Sequence, residues 1–374
     1  MFEFQPFMME RMMSKFEQAV EYNLSESGVH PILLKELLAD DPEYIQRLLE
    51  TDLNYPYVNG IPELRQNIAS LYDGATPENV LVTVGAIEAN YITTRTLMSP
   101  GDEMALMLPN YMQIWGIAKN HGYDLKTFHL REDRGWAPDL DELRDIVSPG
   151  TKLIAVCHPN NPTGYILTET EMDHIVSIAD RVGAWILSDE VYRGAERERE
   201  QETPSFFGRY DKVVAMGSMS KAYGLPGLRI GWAVGPVDLI DEIWARHEYV
   251  TISATMLSNK LAAIALSPEV RPRIIQRARD YIRKGFPILK QWMDGHENTF
   301  TLTPPQAAAI AYVRYHLDIN STEFMERLLK EKSTLIVPGD HFGMDHFVRI
   351  SFGLPPNVLT PALDRIHELI EELR

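Results

Sequence analysis

The first apolar pattern in the chain is helical. In "FMMERMMSKFEQAVEYNL" the residues Met9, Met12, Met13, Phe16 and Val20 fall on one face. The spacing predicts a helix with two open roles. It docks on its own subunit, or it forms an arm that reaches a partner or covers a site. Methionine-rich faces adapt to irregular surfaces, so the pattern suits both. From about Asn54 to Pro268 the pattern changes to short apolar runs between helical stretches. "NVLVTVGA" precedes "IEANYITTRTLM", "EMALMLP" precedes "MQIWGIAKNHG", and "KLIAVCHP" precedes "TETEMDHIVSIADRVG"; "AWILSDEVY" and "KVVAMGSMS" follow. Runs that are apolar throughout predict a mainly parallel sheet covered by helices on both faces. Right-handed crossovers make this an α/β layered domain.

After "SPEVRPRII" a charged helical stretch extends to about Met293. Strand patterns return in "TFTLTP", "AAAIAYVRYHL", "STLIVPG" and "FVRISFG", with helices between and after them. These predict a smaller α+β domain. The expected division is residues 1–50 as an arm and part of the small domain, 51–270 as the large domain, and 271–374 as the small domain.

Composition narrows the classes. A chain of 374 residues is long enough for two domains. Its net charge of -17 disfavours nucleic-acid binding, which needs a basic face. The "RERE" run near Arg197 balances its own charge and is expected to be a solvated loop. The single cysteine, Cys157, excludes an intramolecular disulfide and fits a reducing cytosol. There is no apolar run of membrane-spanning length and no signal-peptide pattern at the start, so a cytoplasmic protein is expected. No His/Cys/Asp cluster has metal-ligand spacing, and no metal site is expected.

The chemistry concentrates in "GSMSKAYGLPGLRIGW", where Lys221 and Arg229 sit among small and apolar residues. A solvated loop would carry more polar residues, and a buried strand would carry no charge. An amine in a partly dry site is more easily neutral, and a neutral lysine attacks carbonyls to form a Schiff base. A carbonyl cofactor bearing a phosphate accounts for the other features together. Ser218 and Arg229 would hold the phosphate beside the N–H groups of the Gly85–Ala86 turn at a helix start. Asp189, after the apolar run "AWILS", would pair with a protonated pyridine nitrogen. A helix N-cap is the structural alternative for Asp189. Tyr111 would stack on the ring, and Asn161 and Tyr192 would donate to a ring oxygen. His158 is expected in a packing or turn role beside "PNNPTG".

In their order, "YPYVNGIPELR", "GAIEA", "PNY", "PNNPTG", "SDEVY", "SMSKAYGLPGLRIGW" and "FVRISFG" make the chain resemble the class I/II aminotransferases of the fold-type I pyridoxal-phosphate enzymes. The resemblance implies an α/β fold with a large mixed, mainly parallel sheet and a smaller α+β domain. It implies pyridoxal 5'-phosphate as cofactor and Lys221 as the Schiff-base lysine, with Asp189 and Tyr192 beside it. Gly85, Ala86, Ile87, Tyr111, Asn161, Ser218 and Arg229 would complete the cofactor site. Arg349, with Asn161 and Gly28, would bind the substrate, the arginine taking its α-carboxylate. Tyr55, with Tyr57 as a close rival, would reach the neighbouring subunit's phosphate, which implies a homodimer with shared sites. The activity implied is ping-pong transfer of an amino group from an L-amino acid to a 2-oxo acid. The segment "NLSESGVH" resembles capreomycidine-synthase-like relatives, so a lyase or cyclase on the same fold is the alternative. A ligand-sensing regulator on this fold would carry a basic DNA-binding domain, and the residues before the sheet domain are not basic. Gln306 and Ala307 depart from the commoner glycine-containing form and are expected to reshape the substrate pocket. Arg246 and His247 lie in a plausible region for a side-chain pocket, but no second arginine aligns to mark a dicarboxylate.

Overall fold

The computed structural model describes residues 4–38, 42–296 and 298–374. Strand β1 is Tyr22–Asn23. Among the described residues, eight strands form the large sheet: β2 (Val80–Thr83), β3 (Glu103–Leu108), β4 (Asp124–Arg131), β5 (Ala137–Pro138), β6 (Thr151–Cys157), β7 (Trp185–Asp189), β8 (Val213–Ser218) and β9 (Gly231–Val234). Their order is β2-β9-β8-β7-β6-β3-β4-β5. Neighbours from β8 to β4 run parallel, while β9 and the edge strand β5 run antiparallel.

Successive side chains on these strands enter opposite layers, as strand geometry requires. Ile154 and Val156 of β6 join one core, and Leu153 and Ala155 join the other. Val213 and Ala215 of β8 likewise part from Val214 and Met216. Both faces of the sheet are therefore buried, which is why the strands read as unbroken apolar runs.

The remaining strands are β10 (Phe300–Leu302), β11 (Ile310–Tyr315), β12 (Thr334–Leu335), β13 (Val337–Pro338) and β14 (Phe347–Ser351). Four of them form an antiparallel sheet in the order β10-β11-β14-β13. β1 pairs in parallel with β12, Tyr22 opposite Thr334, and ties the N-terminal segment to this region.

Helix α1 (Met8–Phe16) lies on its own chain, with Met9, Met12 and Met13 buried. The "RERE" run is largely solvated, with Glu198, Arg199 and Glu200 exposed, but its start is tied down. Glu196 is buried and pairs with the buried Arg279 at 2.6 Å, and Arg197 lies over the Phe286 ring. Both partners come from the helix Arg271–Asp294, a tertiary contact that local charge balance does not reveal. No helix among the described residues is long and apolar enough to cross a membrane.

Candidate active site

The carboxyl ends of β6, β7 and β8 open on a cavity of about 370 Å³. This is where open α/β sheets gather function. Its wall brings together Ala86, Ile87, Tyr111, Asn161, Asp189, Tyr192, Ser218, Lys221, Arg229 and Arg349, while Gly85 starts the adjoining helix and is not itself on the wall.

Asp189 is the last residue of β7 and is followed by turns, so it caps no α-helix. One carboxylate oxygen accepts from Asn90 Nδ2 at 2.9 Å, the other from the Val191 N–H at 3.3 Å. Burial pushes its carboxyl above the ordinary range, against these two bonds and the more distant charge of Lys221. Among the described residues no cation stands within ion-pair distance of it. Lys221 Nζ lies 3.7 Å from Glu26 Oε2. The lysine side chain is 27% exposed, so the site is wetter than its small and apolar neighbours suggest. Lys221, more than any other group, holds Glu26 below the usual carboxylate range.

At one end of the cavity the helix Gly85–Leu97 begins. A Cβ on Gly85, whose φ is +76°, would come within 2.5 Å of Arg229 Nη2, and one on Gly231 within 2.2 Å of the Ala86 nitrogen. Only glycine lets the arginine lie over this turn. Arg229 Nη1 donates to Ser220 Oγ at 3.3 Å, and Ser218 Oγ accepts the Ser220 N–H at 3.0 Å. Two hydroxyls, a guanidinium and a helix N-terminus thus converge, which suits a phosphate.

Arg349 comes from the middle of β14, opposite Tyr312 of β11, and is 2% exposed. Nη1 donates to Asn161 Oδ1 at 2.9 Å and Nη2 to the Ser25 carbonyl at 2.5 Å. Its Nε has no partner. Tyr192 is buried, its hydroxyl bonded to Ser27, and desolvation pushes the phenol well up. Tyr111 donates to Glu10 Oε1 at 2.6 Å, and its ring packs at a tilt on Phe7.

Gly28, Gln306, Ala307, Arg246 and His247 lie elsewhere than expected, whereas His158 takes its expected packing role. Gly28 is not on the cavity wall. A Cβ there would meet the Ser220 carbonyl at 2.9 Å, so this glycine lets its segment pack on the Lys221 backbone. Gln306 and Ala307 do not line the cavity either. Their N–H groups donate to the Gly164 carbonyl, and they brace the Asn160–Gly164 turn from outside. Arg246 is exposed on the helix Val237–His247, away from the cavity. His247 is buried against Glu88. His158 is buried, accepts the Leu167 N–H, and is pushed down to about 3 by burial, so it is a neutral packing residue. Tyr55 and Tyr57 are 78% and 65% exposed and do not enter the cavity of their own chain.

Sequence reasoning missed Asn90, Ser220, Ser27 and three glutamates, Glu10, Glu17 and Glu26. Ser220 and Glu26 stood inside motifs already singled out, "SMSK" and "NLSESGVH". Asn90 carried no spacing signal.

Residues 26–366 match the model of the family "Aminotransferase class I and II". The chain is 32% identical over 355 residues to a capreomycidine synthase of Streptomyces vinaceus, covering 92% of this chain and 89% of that one. It superposes on a pyridoxal-phosphate-dependent aminotransferase of Streptococcus suis with a TM-score of 0.93 and 32% identity, covering 100% and 99% of the two chains. A pyridoxal-phosphate-dependent cyclase superposes with a TM-score of 0.89 and 26% identity over 98% of this chain and 97% of that one. The chain belongs to the class I and II aminotransferase family, and its cofactor is pyridoxal 5'-phosphate.

Proposed function

We propose that the protein transfers an amino group from an L-amino acid to a 2-oxo acid, with Lys221 as the reacting lysine. The observation that carries this is the convergence of Lys221, Asp189, Asn161, Arg229 and Arg349 on one cavity. When bound, pyridoxal phosphate supplies a carbonyl for the amino group and a ring that takes up the electron pair released at Cα. Arg349 binds the α-carboxylate and orients Cα, and Asn161 holds the guanidinium in place. Asp189 keeps a proton on the pyridine nitrogen, which supplies the positive partner that the buried carboxylate lacks. Lys221 takes the proton from Cα at Nζ and returns it as general acid. Ser218, Ser220 and Arg229 hold the phosphate. Because one Arg349 serves both carboxylates, the first oxo acid leaves before the second enters, which is a ping-pong order. The test is turnover with and without a 2-oxo acid acceptor. Sustained turnover should require the acceptor, and turnover indifferent to it would overturn the transaminase assignment.

Elimination or cyclisation is the second reading. It is favoured by Glu26, a carboxylate 3.7 Å from the reacting lysine in the segment "NLSESGVH". The identity with a capreomycidine synthase points the same way. Turnover of an amino acid without any acceptor is its signature.

We also propose a homodimer with shared sites, Tyr55 serving the partner's phosphate end. The support is the exposure of Leu53, Tyr55 and Tyr57 on one segment, with Ile87 and Tyr91 exposed on the helix that starts at the phosphate turn. Apolar surface of this kind marks an interaction site. Mixing a Tyr55→Phe chain with a Lys221→Ala chain should restore activity above either parent, since one hybrid site then has both native residues. No recovery after proven subunit exchange would place Tyr55 outside the shared site.

A further inference from the structure

The glutamates on the cavity wall have no role in the chemistry described so far. Glu10 and Glu17 come from helix α1 and the turn after it, and Glu26 from the segment that follows β1. The cations on that wall are Lys221, Arg229 and Arg349, and its fourth carboxylate is Asp189. On the function proposed above, on which this inference rests, Lys221 and Asp189 serve the ring, Arg229 the phosphate and Arg349 the α-carboxylate. Glu10, Glu17 and Glu26 line the same wall, and the only cation in ion-pair reach of them among the described residues is Lys221, which stands by Glu26.

Their charges already oppose one another. Burial raises the Glu17 carboxyl above its ordinary value, and Glu26 and then Glu10 raise it further. Glu26 is relieved mainly by Lys221, an ammonium that the proposed chemistry diverts elsewhere. Glu10 is held in place by the Tyr111 hydroxyl. The second, independent mark of a ligand is Arg349. It is buried, lines the same cavity and has an unpartnered Nε, so it fixes where the carboxylate end of a substrate sits. An acidic side chain would meet repulsion, and a neutral one would leave it unrelieved. We infer that the cavity selects α-amino acids with a cationic side chain, an amine or a guanidinium, and that Glu10, Glu17 and Glu26 form its seat. Helix α1 is then the specificity wall of the site as well as a packed helix of its own subunit.

Calorimetric binding to the cofactor-loaded enzyme, without acceptor, tests this with pairs of nearly equal shape. L-arginine should bind at least about tenfold more tightly than L-citrulline, and L-lysine than L-norleucine, as expected for charge complementarity in a partly buried site. Added salt should narrow the gap. Glu10→Gln and Glu17→Gln, singly and together, should narrow it too. Equal binding within each pair, tighter binding of L-glutamate, no binding of any of these, or a gap untouched by both substitutions would each overturn the inference. The comparison within wild type needs no variant to fold. Failure of the catalytic reading shows separately, as cofactor that is not attached to Lys221 or as no amino-group transfer, and the charge preference is measured in either case.

Discussion

Lys221→Ala is expected to lower turnover by about 10²–10⁴-fold or more, the range for losing a positioned acid–base group. The fold should survive. The lysine side chain is 27% exposed, and its ion pair with Glu26 spans 3.7 Å, a geometry that contributes little to stability. The small stability difference that remains has a predictable sign. Lys221 lowers the Glu26 carboxyl in the folded protein, so the pair stabilises above the ordinary Glu range and stops doing so as pH falls through the folded value. Cofactor-free wild type and variant should therefore differ slightly in Tm near neutral pH and converge in acid. Borohydride treatment of the wild-type holoenzyme, followed by peptide mapping, should place the cofactor on Lys221. A label on Lys212 or Lys260, or a variant with turnover within a few-fold of wild type, would overturn the assignment.

The large sheet was legible because each parallel strand is buried on both faces and so reads as a plain apolar run. The residues at the strand ends were legible for a related reason. A charged group such as Asp189 directly after "AWILS" needs a helix N-cap role or a ligand to answer it, which narrows the choice to two. What stayed hidden depends on which surfaces meet. The apolar spacing of α1 announced a face that could cover a site but not which polar neighbours would enter the cavity, so Glu10, next to Met9, carried no signal. Asn90 matters only because the second turn of its helix lies beside the end of β7, which no spacing in the sequence encodes. Gln306 and Ala307 were misplaced because the stretch before β11 passes behind the Asn160–Gly164 turn, whose inner side holds Asn161. The acceptor for Arg349 Nη2 is a backbone carbonyl, Ser25, and side-chain motifs do not report backbone groups.

Arg349→Lys should weaken amino-acid substrates while leaving the spectrum of the bound cofactor unchanged. The guanidinium spends Nη1 on Asn161 and Nη2 on the Ser25 carbonyl, and its Nε remains without a partner in a nearly dry position. A carboxylate is the partner this planar fork is built to take, through charge-assisted hydrogen bonds. Lysine keeps the charge, but one ammonium cannot hold both protein acceptors in the same plane and still present a fork. Losing one charged hydrogen bond of this kind costs about 1.5–3 kcal/mol, roughly 10–150-fold in kcat/KM for amino acids. Primary amines that lack a carboxylate never make the contact, so their kcat/KM should change little. That contrast separates substrate binding from support of the fold, because Arg349 also bridges the small sheet to Asn161 and a general loosening would slow both kinds of substrate. Equal losses for amines and amino acids would make Arg349 a tie between the two regions, and the α-carboxylate would then need another anchor on the cavity wall.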